Sequence, residues 1–398
     1  MSQLIISRIF FLFMAVCHAA CMNINSNTIT EDAVRQQLSE LKQKHAPDTR
    51  VDYFTVSLDA SKHDWVFKGN TDSRKAKKDI AELAASYRII DSVSLLPDPV
   101  LGADTIGVVT ISVANIRSEP SHPSQLATQA TMGMTLRVLQ KKEGWYLIQT
   151  PDHYIGWVNE GAFVQMNRQS YREWKNRDKV IFTEPLGYVY SADEQIVSDI
   201  VGGSIVALDA ETDDVFKVQL PDGRKGMLRR VESMHQDEWL TGLRNDREAL
   251  LTTAADMLGT PYLWGGTSFK GVDCSGFTKT IYLMNGMILP RDASQQVHAG
   301  DPVDTEKDFR RLKPGDLLFF GRKATEEQDE KIVHVGMWIG NNEYIHAFQA
   351  RVQISSVDPD SPRYDEYNLN RYVRTKRMLG SANHINYIRQ ELNIDFQL

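Results

Sequence analysis

The sequence predicts an α+β protein of several domains: a small helical N-terminal region, two copies of a small β-barrel, and a C-terminal domain in which a helix opened by a cysteine meets strands bearing two histidines. Three observations carry this expectation. At 398 residues the chain is too long for one compact core. A repeat at constant offset runs through its middle. One cysteine, Cys274, remains in the folded body, where Gly, Pro and aromatic residues surround it.

The chain begins with a segment unlike the rest. In residues 1–21 Arg8 is the only charged side chain, Ile9 to Val16 is a short apolar run, and the small residues Ala19 and Ala20 precede Cys21. This is the texture of a secretory signal peptide, too short to span a membrane. Cys21 after two small residues suggests a lipid anchor at the new N-terminus. His18 sits where such signals usually carry Leu, so ordinary cleavage stays open. Either way the expectation is an exported protein of the periplasm or cell envelope.

Composition excludes several classes. With 42% hydrophobic and 24% charged residues the chain is of ordinary globular type. A net charge of -7 provides no basic excess to neutralise a polyphosphate backbone, so no nucleic acid is expected as a partner.

Residues 22–100 mix polar helical stretches, Glu31 to Lys44 and Ser73 to Tyr87, with turns, and read as a helical spacer without a chemical motif. From 101 to 168 the texture becomes short alternating runs, Val108 to Val113 and Trp145 to Gln149, cut by Gly, Pro and Asp: small-barrel patterning. Gly133-Met134-Thr135-Leu136 is echoed by Gly203-Ser204-Ile205-Val206, Pro151-Asp152 by Pro221-Asp222, and Gly156 by Gly226, each pair 70 residues apart. A constant offset over three points predicts a second barrel, over 176–236.

The chemistry concentrates in 245–380, ahead of a tail over 381–398. Asp273-Cys274-Ser275-Gly276-Phe277 opens an apolar helical run through Ile281 and Met284, with Asp273 as N-cap. A helix N-terminus favours a thiolate and offers amides to an oxyanion, so the thiol is expected below its free pKa. A thiolate nucleophile needs a base that titrates near neutrality. His334 and His346 flank Gly340-Asn341-Asn342, a hairpin turn that would set them on neighbouring strands. A zinc site from Cys274, Asp273 and both histidines is the alternative, without paired Cys or close His spacing in its favour. Phe277, Trp338 and Phe319-Phe320 read as core.

Tyr262-Leu263-Trp264-Gly265-Gly266, Asp273-Cys274-Ser275-Gly276-Phe277, Leu289-Pro290-Arg291-Asp292, Lys313-Pro314-Gly315-Asp316, His334-Val335-Gly336-Met337 and His346-Ala347 together resemble the NlpC family of bacterial cell-wall cysteine peptidases. Val113 to Pro120, Gly144-Trp145-Tyr146 and Tyr154 to Trp157 resemble the bacterial Src-homology-3-type barrels of cell-wall hydrolases. The second copy lacks the Asn-x-Arg segment and final Trp. The whole resembles the gamma-D-glutamyl-L-diamino-acid endopeptidases.

This resemblance implies a papain-like catalytic domain with Cys274 as nucleophile, His334 as base, His346 orienting it, and Tyr262 supporting the oxyanion. It implies no metal or cofactor. The implied substrate is a peptidoglycan stem peptide with a free N-terminal L-Ala before gamma-D-Glu and a diamino acid. Asp273, Ser275 and Ser294 would line its pocket from the catalytic domain, and Glu119 and Tyr154 from the first barrel, the Glu pairing with the ammonium. A broader wall endopeptidase or acyltransferase, or a wall-binding protein without activity, are the alternatives.

Overall fold

The computed structural model describes residues 30–388 apart from 245 and 384. The expected signal peptide, Cys21 and most of the expected tail lie outside the described residues. Helices and sheets are mixed throughout, and among the described residues no helix is long and apolar enough to cross a membrane.

The N-terminal region corrects the helical expectation. The two helices are present as Glu31–His45 and Arg74–Tyr87, capped by Thr30 and Ser73. They pack on a three-stranded sheet in which Val66–Thr71 pairs antiparallel with Ser57–Asp59 and parallel with Ile90–Leu95. These strands are short and polar, with one or two buried side chains each, so no apolar alternation announces them. A separate core of Val34, Phe54, Phe67, Ile80 and Val93 fills the space between helices and sheet.

Two seven-stranded sheets follow. In the first, the order is Phe163–Met166, Ile106–Val109, Thr135–Lys142, Trp145–Gln149, Ile155–Asn159, Val113–Arg117, Leu126–Thr131. The second runs Ser233–His235, Lys179–Phe182, Ile205–Glu211, Val215–Gln219, Lys225–Arg229, Leu186–Tyr190, Ile196–Val201, which is the same order strand for strand. The sequence repeat is therefore a repeat of topology. The run Val108 to Val113 is two strands, broken at residues 110–112. The sheets are joined by the helix Arg168–Lys175, and each has its own core, built on Ile116, Val138 and Ile148 in one and on Phe182, Val206 and Phe216 in the other.

In the C-terminal part the helix Cys274–Met284 packs on a six-stranded sheet. Its central strands are Leu317–Arg322, Lys331–Gly340 and Glu343–Phe348, all antiparallel. Phe277, Ile281, Phe319, Val335 and Met337 form the dry layer between helix and sheet. Phe320 and Trp338 are buried on the opposite face, as period-two alternation requires.

Candidate active site

Cys274 is the first residue of its helix because Asp273 ends the preceding turn in extended conformation and accepts the Gly276 amide at 2.7 Å. Gly276 must be glycine: a Cβ there would lie 1.9 Å from the Gly266 carbonyl oxygen. The tight Gly265-Gly266 turn and the helix entry are thus pressed together, and the Tyr262 phenol lies within electrostatic reach of the thiol. Burial, and then the Cys274 charge, hold that phenol above its ordinary range.

The thiol itself departs from expectation. Burial, reinforced by the Asp273 carboxylate, pushes Cys274 up to about 12, against the smaller opposing pull of the Val335 amide and Arg291. A helix N-terminus lowers a thiol pKa where solvent also stabilises the anion; here the sulfur is dry and next to a carboxylate. At neutral pH this environment favours the protonated thiol.

The hairpin forms as expected, with Asn341 and Asn342 both left-handed at φ 52° and 62°, the geometry of a two-residue type I′ turn. The register Met337↔Ile345 sets His334 and His346 on one face, diagonal across the two strands. His334 Nε2 lies 2.8 Å from His346 Nδ1, and His346 Nε2 lies 3.0 Å from Ser355 Oγ. Ser355 is on the next strand, Arg351–Ser356, and was not among the residues singled out in the sequence. Burial, followed by the charges of His346 and Arg371, holds His334 well below 6.5. Burial lowers His346 to about 4, with Asp365 pulling the other way. Both rings are held neutral at pH 7. In the tautomer in which His334 Nε2–H donates to His346 Nδ1 and His346 Nε2–H donates to Ser355, His334 Nδ1 is left free to accept a proton. The Val335 amide, next in the chain to His334, reaches the Cys274 sulfur, so the strand that carries His334 meets the helix entry there.

Asp273 and Ser275 are buried. The Arg291 guanidinium grips Asp273 through two bonds, Nη2 to Oδ2 at 2.6 Å and Nη1 to Oδ1 at 3.1 Å, and also donates to Ser275 Oγ at 3.1 Å. Gly265 N adds a bond to Asp273 Oδ2 at 2.9 Å. The Asp273 charge is therefore matched internally.

The first seven-stranded sheet borders this site. Gln129 accepts the Thr267 amide at 2.9 Å and the Ser268 hydroxyl at 3.1 Å, and Gly265 sits against the Leu126 carbonyl, where a Cβ would be 2.2 Å away. Tyr154 donates to Asp292 Oδ2 at 3.1 Å, and Ser294 receives Arg50 at 2.8 Å. Tyr154, Asp273, Ser275 and Ser294 are thus tied together through Arg291, Asp292 and Arg50. Glu119 stands apart: it is exposed on the loop after Val113–Arg117, with only its carbonyl engaged, by Ser121 and Ser124. Among the described residues no cluster of three or more His, Cys, Asp and Glu is arranged to hold a metal ion.

A thiol at a helix entry, abutting a backbone amide of the strand that carries a relayed histidine, defines a cysteine hydrolase. Residues 259–371 match the NlpC/P60 family, and residues 116–163 match the bacterial dipeptidyl-peptidase Sh3 domain. A gamma-D-glutamyl-L-lysine dipeptidyl-peptidase of Bacillus cereus is 31% identical over 259 residues, 62% of this chain and 74% of that protein. Dipeptidyl-peptidase 6 of Lysinibacillus sphaericus is 27% identical over 275 residues, 65% of this chain and 93% of that protein. The crystal structure of an NlpC/P60 family protein from Bacillus cereus superposes with a TM-score of 0.58 at 26% identity, covering 69% of this chain and 99% of that one. The chain belongs to the NlpC/P60 family and is a cysteine peptidase.

Proposed function

We propose that this peptidase hydrolyses the bond between gamma-D-Glu and the L-diamino acid, diaminopimelate or Lys, of peptidoglycan stem peptides whose N-terminal L-Ala is free, in wall turnover or recycling. The names of its relatives supply the bond. The observation that carries the reading here is the docking of the first sheet at the helix entry, with Gln129 clamped to Thr267 and Tyr154 to Asp292. In this reading that wall closes the N-terminal side of the substrate against a glycan.

In this account His334 Nδ1 takes the Cys274 proton as the sulfur attacks the gamma-carbonyl. Thiolate and imidazolium appear only as the tetrahedral intermediate forms, which suits a resting pair that burial keeps neutral. Helix-entry amides and Tyr262 receive the oxyanion. His334 then protonates the departing amine, and water, deprotonated by the same ring, opens the thioester. His346 orients His334. Because Arg291 already matches Asp273, Glu119 is the carboxylate that pairs with the substrate ammonium, and the Ser275 and Ser294 hydroxyls and Tyr154 complete the pocket. No step calls for a metal or cofactor.

We read the helix-on-sheet domain as papain-like. The two sheets with one strand order are read as two Src-homology-3-type barrels, the second structural. Export to the periplasm or cell envelope, with Cys21 as a possible lipid attachment point, completes the account. Mass spectrometry of products from L-Ala-gamma-D-Glu-diaminopimelate and its N-acetylated form tests it. Release of L-Ala-D-Glu from the free peptide alone is expected. Equal cleavage of both would shift the function to hydrolysis of intact wall.

A further inference from the structure

The N-terminal region carries a side chain that belongs to the site. Asp292 Oδ2 accepts two bonds, from Tyr154 at 3.1 Å and from Arg50 Nη1 at 2.8 Å. The same Arg50 Nη1 donates to Ser294 Oγ at 2.8 Å. Arg50 is itself held: Asp48 receives its Nε and Nη2 at 2.8 and 2.7 Å, and Gln295 donates to Asp48 at 2.8 Å. Its backbone is fastened to the first sheet, the Ile155 amide donating to the Arg50 carbonyl at 2.7 Å and Gln149 to the Val51 carbonyl at 3.1 Å. One guanidinium therefore joins three parts of the chain at one carboxylate.

What lies beyond matters for selectivity. Arg50 and Ser294 line an open cavity of about 1120 Å³, with Asp52, Asp72, Arg137 and His153 on its other walls, whereas Tyr154, Asp292 and Cys274 do not line it. Arg50 stands at the boundary between this cavity and the Tyr154–Asp292 wall. A planar fork satisfied on both edges is a rigid partition, which a lysine cannot reproduce.

We propose that Arg50 is a specificity-determining positioning residue. By fixing Tyr154, through Asp292, and Ser294, it closes the pocket that receives the substrate's free amine, and it separates that pocket from a cavity large enough for an acyl or glycan substituent. This rests on the function proposed above. It acts on substrate selection and not on the thiol, since no bond joins Arg50 to Cys274, His334 or His346.

The test is steady-state kinetics of wild type, Arg50→Ala and Arg50→Lys on the free and N-acetylated peptides, with thermal melts to establish that each is folded. For Arg50→Ala, KM for the free peptide is expected to rise by about tenfold with a much smaller change in kcat, and the preference for free over acetylated peptide to fall by about tenfold or more. Arg50→Lys should recover only part of either. Asp292→Asn, which keeps the side-chain shape, should move the preference in the same direction and serves if Arg50→Ala does not fold. An equal loss on both peptides, or no change in a folded variant, overturns the proposal while leaving the function intact. A wild type that does not distinguish the two peptides overturns both together.

Discussion

His334 Nε2 and His346 Nδ1 lie 2.8 Å apart inside a wholly buried relay that ends on Ser355. The contact engages His334 Nε2 and leaves Nδ1 free, which in the proposed reaction is the nitrogen that takes the thiol proton. The His346 ring nitrogens and one hydroxyl make the contacts that a carboxylate makes in other triads, and the Asp365 carboxylate acts on His346 through its charge alone.

The relay is tested at its far end. Ser355→Ala should lower kcat by roughly five- to tenfold with KM little changed, the value of about one hydrogen bond of 1 kcal/mol. His346→Ala should cost on the order of a hundredfold, because it frees the His334 ring to adopt the wrong tautomer. Steady-state kinetics decide it: equal, small effects of both changes would mean that His346 does not orient His334.

Burial of His346 gives stability a pH dependence of definite sign. Its folded-state pKa of about 4 lies below the ordinary 6.5, so between these values the unfolded chain takes up a proton that the folded protein refuses. The contribution is complete above pH 6.5 and is lost as pH falls toward 4. Urea midpoints should drop between pH 7 and pH 5, and His346→Gln should show a smaller drop. Identical drops in both proteins would contradict the buried neutral imidazole.

Arg291 is 1% exposed and compensates the buried Asp273. Arg291→Met should destabilise the protein by roughly 3–5 kcal/mol by stranding that carboxylate, and Asp273→Asn in the same chain should recover part of the loss, since Asn still caps the helix. Denaturant unfolding measures this. A single substitution costing less than about 1 kcal/mol would mean that the pair is dispensable.

Much of this architecture is legible in the sequence because its signals are local. Asp273 one residue before an apolar helical run marks the helix entry, Asn341-Asn342 between two alternating runs marks the hairpin, and the 70-residue echo from Gly133 to Gly203 marks the repeated sheet. What escapes is long-range or environmental. Arg50 and Asp292 are 242 residues apart, and nothing near either announces the other. Ser355 is one polar residue in a strand until the register sets it opposite Tyr344 and diagonal to His346. The N-terminal strands bury too few side chains to show a period. The direction of the thiol pKa is not legible, because the helix end is visible in sequence while the burial of the sulfur and the nearness of the Asp273 charge are not.

In the proposed reaction Cys274 attacks the gamma-carbonyl and carries the acyl group. Intact-protein mass spectrometry of acid-quenched mixtures with L-Ala-gamma-D-Glu-diaminopimelate tests it most directly. Wild type should gain the mass of one L-Ala-D-Glu acyl group on the peptide containing Cys274 and turn over, while folded Cys274→Ala should neither gain it nor release product. Product release by Cys274→Ala at a rate near that of wild type would contradict the account.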